Sequence, residues 1–223
     1  MKLSVIIPAF NEADTIEETL DRVKQVRLDK EIIVVDDCST DGTRELLEKS
    51  PDIKLILHER NVGKGMAIRS ALPYVTGDIV VIQDADLEYY PEDLYAMVEP
   101  ISNCEAEVVY GSRFLEGRPK MRLSNLIANK ILAAMATLLF STRITDEATC
   151  YKAFRTETIK NLRLTCKRFE FCPEVTAKLL RKGVKIIEIP IRYAARTNAQ
   201  GKKIGWWDGV IALWTLFKFR SFE

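Results

Sequence analysis

The sequence predicts a single α/β domain, built as a doubly wound, mostly parallel sheet with helices on both faces. Short apolar runs that are rich in β-branched residues recur in the first half of the chain and have the length of buried strands. Segments with helical spacing separate them, so each strand is expected to return through a helix to a parallel neighbour. The apolar runs lie at residues 3–7, 32–35, 53–57, 79–82 and 108–110.

The helices between these strands follow in order. Ile16, Leu20 and Val23 have helical spacing, and Asp14 with Glu17 three residues later predicts a capping box at the start of this helix. Two further helices are predicted at residues 43–49 and 64–75. The later part of the chain adds an apolar helical segment at 126–140, a strand at 184–189 and an apolar C-terminal helix at 206–219.

One domain, residues 1–223, is predicted because the chain contains no internal repeat, low-complexity segment or linker. Its character changes near residue 115. Residues 1–115 carry the alternating strands and helices, whereas residues 116–223 carry a basic stretch and the apolar helices.

Composition excludes several classes of protein. The chain has 33 basic and 32 acidic residues and a net charge of +1, so no overall field favours nucleic acid as a partner. Five cysteines without a C-x-x-C pair argue against a disulfide framework or a zinc site and favour a reducing cytosolic setting. The start of the chain reads as a strand rather than a signal peptide, and the uncharged stretches are shorter than the roughly 20 residues of a membrane-spanning helix.

Two carboxylates, Asp84 and Asp86, come directly after the apolar run at residues 79–82. Oxygen ligands of this kind suit Mg²⁺ or a similar cation, which commonly binds one or two carboxylates together with substrate phosphates. Glu88 is a candidate third ligand. The alternative is that both aspartates only cap the next turn.

Other predicted strands also end in polar residues, and in a parallel sheet such ends form the ligand site. Asp36 and Asp37 end the second strand, where an acidic residue commonly binds ribose or a base edge. Lys64 opens the third helix between two glycines, which suits a phosphate or merely a solvated helix start. No dinucleotide-binding or P-loop glycine pattern occurs, and the only histidine, His58, is interpreted as structural.

These residues lie in motifs that resemble glycosyltransferase family 2, whose fold is GT-A, and particularly its dolichol- and polyprenol-phosphate mannose or glucose synthases. The motifs occur in the family's order over most of the chain. They are V-I-I-P-A-F-N-E (5–12), V-V-D-D-C-S-T-D-G-T (34–43), N-V-G-K-G (61–65), D-A-D-L-E (84–88), G-S-R-F (111–114) and D-E-A-T-C-Y-K-A-F-R (146–155).

The resemblance implies an inverting transfer of a hexose from a nucleotide diphosphate sugar, with Mg²⁺ or Mn²⁺ held by Asp84, Asp86 and Glu88. Residues 1–115 would then bind the donor and residues 116–223 the acceptor. Asp86 is also a candidate catalytic residue. The residues implied in nucleotide-sugar binding are Pro8, Phe10, Asn11, Glu12, Val35, Asp36, Asp37, Lys64, Asp84, Ala85 and Asp86.

For the acceptor, the resemblance places Arg113 where lipid-phosphate synthases present an arginine to a phosphate. A guanidinium suits phosphate oxygens, although a salt-bridged structural arginine remains the alternative. Asp146 would be the general base if the acceptor were a hydroxyl, whereas a phosphate monoester with a second pKa of about 6 needs none. The acceptor-phosphate residues implied are Arg113, Arg122, Ser124, Arg196, Lys202 and Lys203.

The motifs depart from the family pattern on the acceptor side. Residues 146–151 replace the family's D-x-x-S-G-F, residues 201–203 lack its serine, and residues 169–174 differ from its phenylalanine-glutamine-glutamate arrangement, although Glu174 keeps the acidic position. A glycan or small-molecule hydroxyl acceptor therefore stays open, as does a nucleotide-sugar-binding subunit without turnover, which the intact D-A-D and Arg113 disfavour.

A polyprenyl phosphate acceptor would require the enzyme to reach a membrane. The apolar segments at residues 126–140 and 206–219 have aromatic and cationic residues near their ends, which suits peripheral binding at the cytosolic membrane face. Core packing or a homo-oligomer interface is the alternative for both helices.

Overall fold

The computed structural model describes residues 1–196 and 205–221, which form a seven-stranded sheet with helices packed on it. The strands are β1 (Leu3–Ala9), β2 (Lys30–Asp36), β3 (Lys54–Leu57), β4 (Ile79–Ile82), β5 (Val108–Ser112), β6 (Lys152–Arg155) and β7 (Ile186–Pro190). The helices are α1 (Ile16–Gln25), α2 (Thr43–Glu48), α3 (Lys64–Ala71), α4 (Leu94–Ser102), α5 (Leu123–Phe140), α6 (Thr156–Lys160), α7 (Phe171–Arg181) and α8 (Trp206–Ser221).

The strand order is β3-β2-β1-β4-β6-β5-β7, which confirms the predicted mostly parallel sheet. Strands β3, β2, β1 and β4 are parallel neighbours, and β5 is parallel to β7. The exception is β6, which runs antiparallel to both β4 and β5. Because β6 joins the two parallel parts, residues from both halves of the chain share one sheet.

Two apolar cores cover the faces of the sheet. Ile7, Val34 and Val81 belong to the core beneath α1 and α4, whereas Ile6, Val35 and Val80 belong to the core beneath α3 and α7. The alternation follows from the two-residue period of a strand. Strands buried on both faces read as continuous apolar runs, which is why the sequence located them well.

A third, smaller apolar cluster joins α5, α7 and α8 beside the sheet. Leu132 and Ala136 of α5, Ala212 and Leu216 of α8, and Ala177 of α7 belong to it. The cluster fixes the two long apolar helices to the domain and leaves their other faces outside it.

The predicted capping box does not form. Helix α1 begins at Ile16 after Thr15, which makes no side-chain hydrogen bond to the first turn. The Thr15 hydroxyl instead contacts the backbone oxygen of Ala85 at 2.7 Å, so it ties α1 to the loop after β4. Asp14 and Glu17 are both exposed.

Several other predicted boundaries move. The third helix ends at Ala71 rather than at 75, followed by a short 3₁₀ turn, and α5 begins three residues before the predicted 126. The strand predicted at 184–189 is observed at Ile186–Pro190. Helices α4, α6 and α7 and strand β6 were not predicted.

Candidate active site

A cavity of about 670 Å³ opens where β1, β2 and β4 end and extends to α5 and α8. In open α/β sheets this carboxyl-end crevice is the expected ligand site. The structure brings twelve of the sequence-predicted residues to its wall. They are Pro8, Phe10, Glu12, Asp37, Lys64, Asp84, Ala85, Asp86, Glu88, Arg113, Ser124 and Arg196.

Five of the remaining predicted residues lie in the described part of the chain and do not line this cavity. Val35 is a fully buried core residue, and the Asn11 side chain accepts a hydrogen bond from the Thr40 backbone nitrogen. Asp36 is fully buried and forms an ion pair with Arg44 at 2.7 Å, which commits its carboxylate to the protein rather than to a ligand. Arg122 is exposed and Asp146 is buried behind the wall. Lys202 and Lys203 lie outside the described residues.

Asp37 organises the loop that leads into α3. Its carboxylate accepts backbone hydrogen bonds from Val62 at 3.0 Å and Gly63 at 2.7 Å, and it contacts His58 Nδ1 at 2.7 Å. His58 therefore has the structural role that the sequence indicated. Gly63 has φ +96°, and a Cβ there would lie 2.5 Å from the backbone oxygen of Lys167, so both conformation and space require glycine.

This loop presents Lys64 to the cavity. Its ammonium forms an ion pair with Asp84 and lies 2.9 Å from Cys150 Sγ. Burial alone would lower the pKa of Lys64, but the nearby Asp84 carboxylate raises it well above the usual value. Lys64 is therefore a permanent cation beside the acidic loop.

The acidic loop after β4 concentrates negative charge. Burial, together with the charges of Asp84 and Glu88, raises the pKa of Asp86 to about 7, and Arg196 partly opposes this rise. A divalent cation bound there would relieve the repulsion that raises the pKa of Asp86. Asp84 and Asp86 thus have the chemistry that Mg²⁺ or Mn²⁺ requires.

The predicted third ligand is engaged elsewhere. Glu88 accepts hydrogen bonds from Tyr193 Oη at 2.7 Å and from the backbone nitrogen of Arg196 at 2.8 Å. Within residues 1–196 and 205–221, no group of three histidine, cysteine or acidic side chains is placed to hold a metal ion. The three-carboxylate set is therefore not assembled, because Glu88 anchors the chain segment after β7.

Arg196 lies on the acidic side of the cavity. Its guanidinium contacts both carboxylate oxygens of Glu12, at 2.8 and 3.0 Å, and one oxygen of Asp86 at 3.0 Å. Burial lowers the pKa of Arg196, but Glu12 and Asp86 more than offset this effect. The structure thus pairs Arg196 with Glu12 and Asp86, two carboxylates implied in nucleotide-sugar binding, whereas the resemblance had implied acceptor-phosphate binding for Arg196.

Arg113 follows β5 and lines the same cavity. Its Nε contacts Asp146 Oδ2 at 2.7 Å, its Nη2 contacts Asp146 Oδ1 at 2.7 Å, and Nη2 also donates to Asn129 at 3.1 Å. The guanidinium lies 5.0 Å from the centre of the Tyr193 ring. Only 6% of the Arg113 side chain is exposed, so it is a fixed and oriented cation.

Asp146 is not a free base in this structure. It is fully buried, and both carboxylate oxygens accept hydrogen bonds from Arg113, including one from the Arg113 backbone nitrogen at 3.0 Å. The hydroxyl-acceptor role considered for Asp146 required an available carboxylate. The observed geometry instead makes Asp146 the group that orients Arg113.

Sequence reasoning missed several residues of the cavity. Asn125 and Asn129 lie four positions apart on α5 and both line the cavity, and this pair of amides within an otherwise apolar helix was a usable signal. Tyr89 and Tyr193 form part of the wall, with ring centres 5.4 Å apart, but they come from separate segments. No local pattern indicates that these tyrosines meet.

A buried polar cluster that includes Glu147, which lines the cavity, forms part of the wall. Lys152 is fully buried and donates to the backbone oxygens of Glu147 at 2.8 Å and Thr149 at 2.6 Å. The Glu147 carboxylate oxygens have no hydrogen-bond partner among the described residues, and burial raises the pKa of Glu147 to about 8. Glu174, which was aligned with an acidic family position, accepts backbone hydrogen bonds from Thr165 and Cys166 and does not line the cavity.

Helices α5 and α8 each present an apolar face to the outside. By length and composition, α5 is long and apolar enough to cross a membrane, contrary to the expectation from charge-free stretches alone. Leu132, however, is a buried contact to α8 rather than a surface residue. The large apolar side chains exposed on these helices are Leu123, Ile127, Ile131, Leu138, Trp207, Val210, Ile211, Trp214 and Phe217.

Comparisons with known proteins agree with this architecture. The family model of glycosyl transferase family 2 matches residues 4–163. Dolichol-phosphate mannosyltransferase of Pyrococcus furiosus is 31% identical over 217 residues, covering 92% of this chain but only 60% of that protein. The UDP-N-acetylglucosamine–dolichyl-phosphate N-acetylglucosaminyltransferase of Methanococcus voltae is 32% identical, covering 90% of this chain and 89% of that protein.

Among solved structures, glucosyl-3-phosphoglycerate synthase from Mycobacterium tuberculosis is similar over the whole chain. The structure with Mn²⁺, uridine diphosphate and phosphoglyceric acid has a TM-score of 0.76 at 22% identity and covers 100% of this chain and 79% of that one. This similarity confirms the predicted GT-A fold.

Proposed function

We propose that this chain, which belongs to glycosyltransferase family 2, transfers a hexose from a nucleotide diphosphate sugar to a polyprenyl or dolichyl phosphate, with inversion at the anomeric carbon. Family membership identifies the chain as a glycosyltransferase. We propose the donor, which would be of the GDP-mannose or UDP-glucose type, and the lipid-phosphate acceptor. The two curated relatives above, whose names specify dolichyl phosphate, support the acceptor.

The donor side of the proposal rests on Lys64 and the acidic loop. Asp84 and Asp86 supply oxygen ligands, and Lys64 adds a permanent cation where a diphosphate would lie. Mg²⁺ or Mn²⁺ held there would neutralise the charge that develops on the departing nucleoside diphosphate. Pro8 and Phe10 form the wall at the end of β1, which suits the nucleoside part of the donor.

The observation that carries the acceptor proposal is the buried Arg113–Asp146 pair. Asp146 has both oxygens committed to Arg113, so it is unavailable to deprotonate a sugar hydroxyl. A phosphate monoester, with a second pKa of about 6, already carries the nucleophilic oxygen as an anion near neutral pH. Arg113 provides a rigid guanidinium for such a phosphate, and an acceptor of this class needs no general base.

Catalysis would then follow from positioning and charge. Arg113 and Lys64 line the same cavity from different elements, so acceptor and donor phosphates can be held separately with the anomeric carbon between them. In-line attack by the acceptor oxygen would invert that carbon without a covalent enzyme intermediate. The protein's contribution is orientation of the two reactants and stabilisation of the leaving group.

The exposed faces of α5 and α8 support peripheral binding at the cytosolic membrane face. Asn125 and Asn129 of α5 line the cavity, so this helix forms part of the active-site wall, which suits a position along the membrane surface better than one across it. Lys130 on α5 and Lys218 and Arg220 at the end of α8 suit anionic headgroups next to the apolar side chains.

The test is the effect of Arg113→Ala and Arg113→Lys on acceptor use. Both variants are expected to raise the KM for polyprenyl phosphate by tenfold or more, about 1.4 kcal/mol or more, while the nucleotide affinity measured by calorimetry changes little. Arg113→Lys loses the forked geometry of the guanidinium but keeps a positive charge beside Asp146. It therefore also controls for the effect of leaving the Asp146 carboxylate unpaired. Arg143→Ala, at an exposed arginine outside the cavity wall, is the matched control. Equal losses of nucleotide and acceptor affinity would move Arg113 to the donor site and contradict the proposal.

A further inference from the structure

Glu188 lies on β7 and binds the segment that carries Asp146. Its carboxylate accepts hydrogen bonds from the Thr145 backbone nitrogen, at 3.0 Å to Oε1 and 2.8 Å to Oε2, and from the Asp146 backbone nitrogen at 2.9 Å. Two consecutive backbone amides are thus satisfied by one charged acceptor. Hydrogen bonds of this charge-assisted type are among the stronger ones in proteins.

The strand order brings Glu188 close to Arg113 in the fold. Strand β7 is parallel to β5, with Glu188 paired to Tyr110, and Arg113 comes directly after β5. Thr145 is held from the β5 side as well, because its hydroxyl contacts the Ser112 hydroxyl at 2.7 Å. The Thr145–Asp146 segment is therefore fixed by both strands at the point where Asp146 binds the guanidinium.

We propose that Glu188 is a positioning residue for Arg113 and sets the orientation of the guanidinium for the acceptor phosphate. The inference rests on the proposed function, in which Arg113 binds that phosphate. Glu188 does not line the cavity. It fixes the backbone of Asp146, and Asp146 fixes the plane of the guanidinium through both carboxylate oxygens.

The physical reason is the directionality of phosphate recognition by arginine. Nε and Nη2 of Arg113 already donate to Asp146 and Asn129, so an acceptor phosphate would be met by Nη1. Rotation or displacement of the guanidinium plane would turn these fixed donors away from the phosphate, whereas a point charge would keep its attraction. A misplacement of about 1 Å in a positioning group can reduce a rate by about a hundredfold. Loss of Glu188 leaves the Asp146 carboxylate chemically intact but releases its backbone.

The kinetic experiment compares Glu188→Ala and Glu188→Gln with the wild-type chain. Glu188→Ala is expected to raise the KM for polyprenyl phosphate by about tenfold or more, with nucleotide affinity changed by less than about twofold. Glu188→Gln keeps one oxygen at the amides but loses the charge, so its effect should be intermediate. An unchanged acceptor KM in Glu188→Ala would overturn the inference.

Glu174→Gln is the matched control. Glu174 also accepts two backbone amides, from Thr165 at 2.7 Å and Cys166 at 2.6 Å, but it lies on α7 away from Arg113. Its substitution should lower the melting temperature without a selective change in acceptor KM. If Glu174→Gln and Glu188→Ala produced the same pattern, Glu188 would be only a structural anchor and the proposal would be wrong.

A spectroscopic readout separates this inference from the proposed function. The Nε–H resonance of Arg113, assigned by its absence in Arg113→Lys, reports the hydrogen bond to Asp146 without any substrate. Glu188→Ala should shift this resonance and accelerate its exchange with water, whereas Glu174→Gln should not. An unchanged resonance would contradict the positioning role, even if the wild-type chain did not transfer sugar to polyprenyl phosphate.

Discussion

The Asp146→Asn substitution distinguishes the two roles of this aspartate most sharply. Asp146 is fully buried and the Arg113 side chain is 6% exposed, with side-chain contacts of 2.7 Å from both Nε and Nη2. Asparagine has nearly the same shape but carries no charge, and its amide nitrogen would face a second donor. The change therefore leaves a buried guanidinium without its counterion.

The magnitude follows from the burial of the pair. Removing one partner of a buried ion pair costs about 3–5 kcal/mol, because the remaining charge stays desolvated. We expect the free energy of unfolding of Asp146→Asn to fall by roughly this amount, less any gain from water reaching Arg113. Adding Arg113→Met should recover much of the loss, because an uncharged pair of similar volume removes the uncompensated charge.

The assay is urea denaturation of the wild type, the two single variants and the double variant. A double-mutant cycle isolates the coupling between the two sites. The pair would not be stabilising if the two single losses in the free energy of unfolding simply added in the double variant. The same conclusion would follow if Asp146→Asn unfolded within about 0.5 kcal/mol of the wild type.

Kinetics of the same variant separate positioning from base catalysis. If Asp146 orients Arg113, Asp146→Asn should mainly raise the acceptor KM and leave the shape of the pH profile of kcat unchanged. If Asp146 were a general base, kcat would fall by about 10²–10⁴ and the limb of the pH profile that reports the base would disappear.

Three further predictions concern metal, pH and membrane. Turnover should require a divalent cation, and full activity after chelation would contradict the metal assignment. Asp86→Asn should remove most of the turnover while leaving the melting temperature unchanged or higher. Glu147 has a pKa of about 8 in the folded state and of 4.5 when exposed, so between these pH values only the folded state holds the proton. The contribution of Glu147 to the free energy of unfolding therefore falls as the pH rises from 4.5 to about 8. Glu147→Gln should lessen this fall by a few kcal/mol at most, measured by urea denaturation at about pH 5 and about pH 8, and an unaltered pH dependence would show that Glu147 ionises normally. Wild-type chain should float with anionic liposomes, and Leu138→Glu or Trp214→Glu, at side chains 77% and 57% exposed, should reduce flotation without loss of nucleotide binding; a wild type that does not float would favour a soluble acceptor.

Strands β1, β2, β4 and β5 were predictable from sequence because they are buried on both faces and therefore appear as apolar runs. The run at residues 79–82 coincides with β4, and the carboxylates after it line the cavity as expected for a parallel strand end. Strand β6 was missed because it contains only four residues, K-A-F-R, and two of them are basic. Its assignment depends on pairing with β4 and β5 rather than on local pattern.

The site was less predictable where it depends on contacts between distant segments. Glu188 and Asp146 are separated by 42 positions and meet only because β7 pairs with β5. Asp36 and Asp37 are neighbours in sequence, yet one binds Arg44 and the other organises the Gly63 turn, because successive residues at a strand end point to opposite faces. Leu132 and Leu138 share one apolar helix, and only its packing on α8 separates the buried residue from the exposed one.

Sugar transfer to paired acceptors is the decisive measurement for the proposed lipid-phosphate specificity. The chain, with Mn²⁺ and either GDP-mannose or UDP-glucose, would be given a polyprenyl phosphate or the matching polyprenol in vesicles, and the lipid products would be analysed by mass spectrometry. We expect a hexosyl-phosphate lipid from the polyprenyl phosphate and no product from the polyprenol. Glycosylation of the polyprenol would contradict the proposed acceptor. So would the absence of product from the polyprenyl phosphate with a donor whose binding calorimetry has shown.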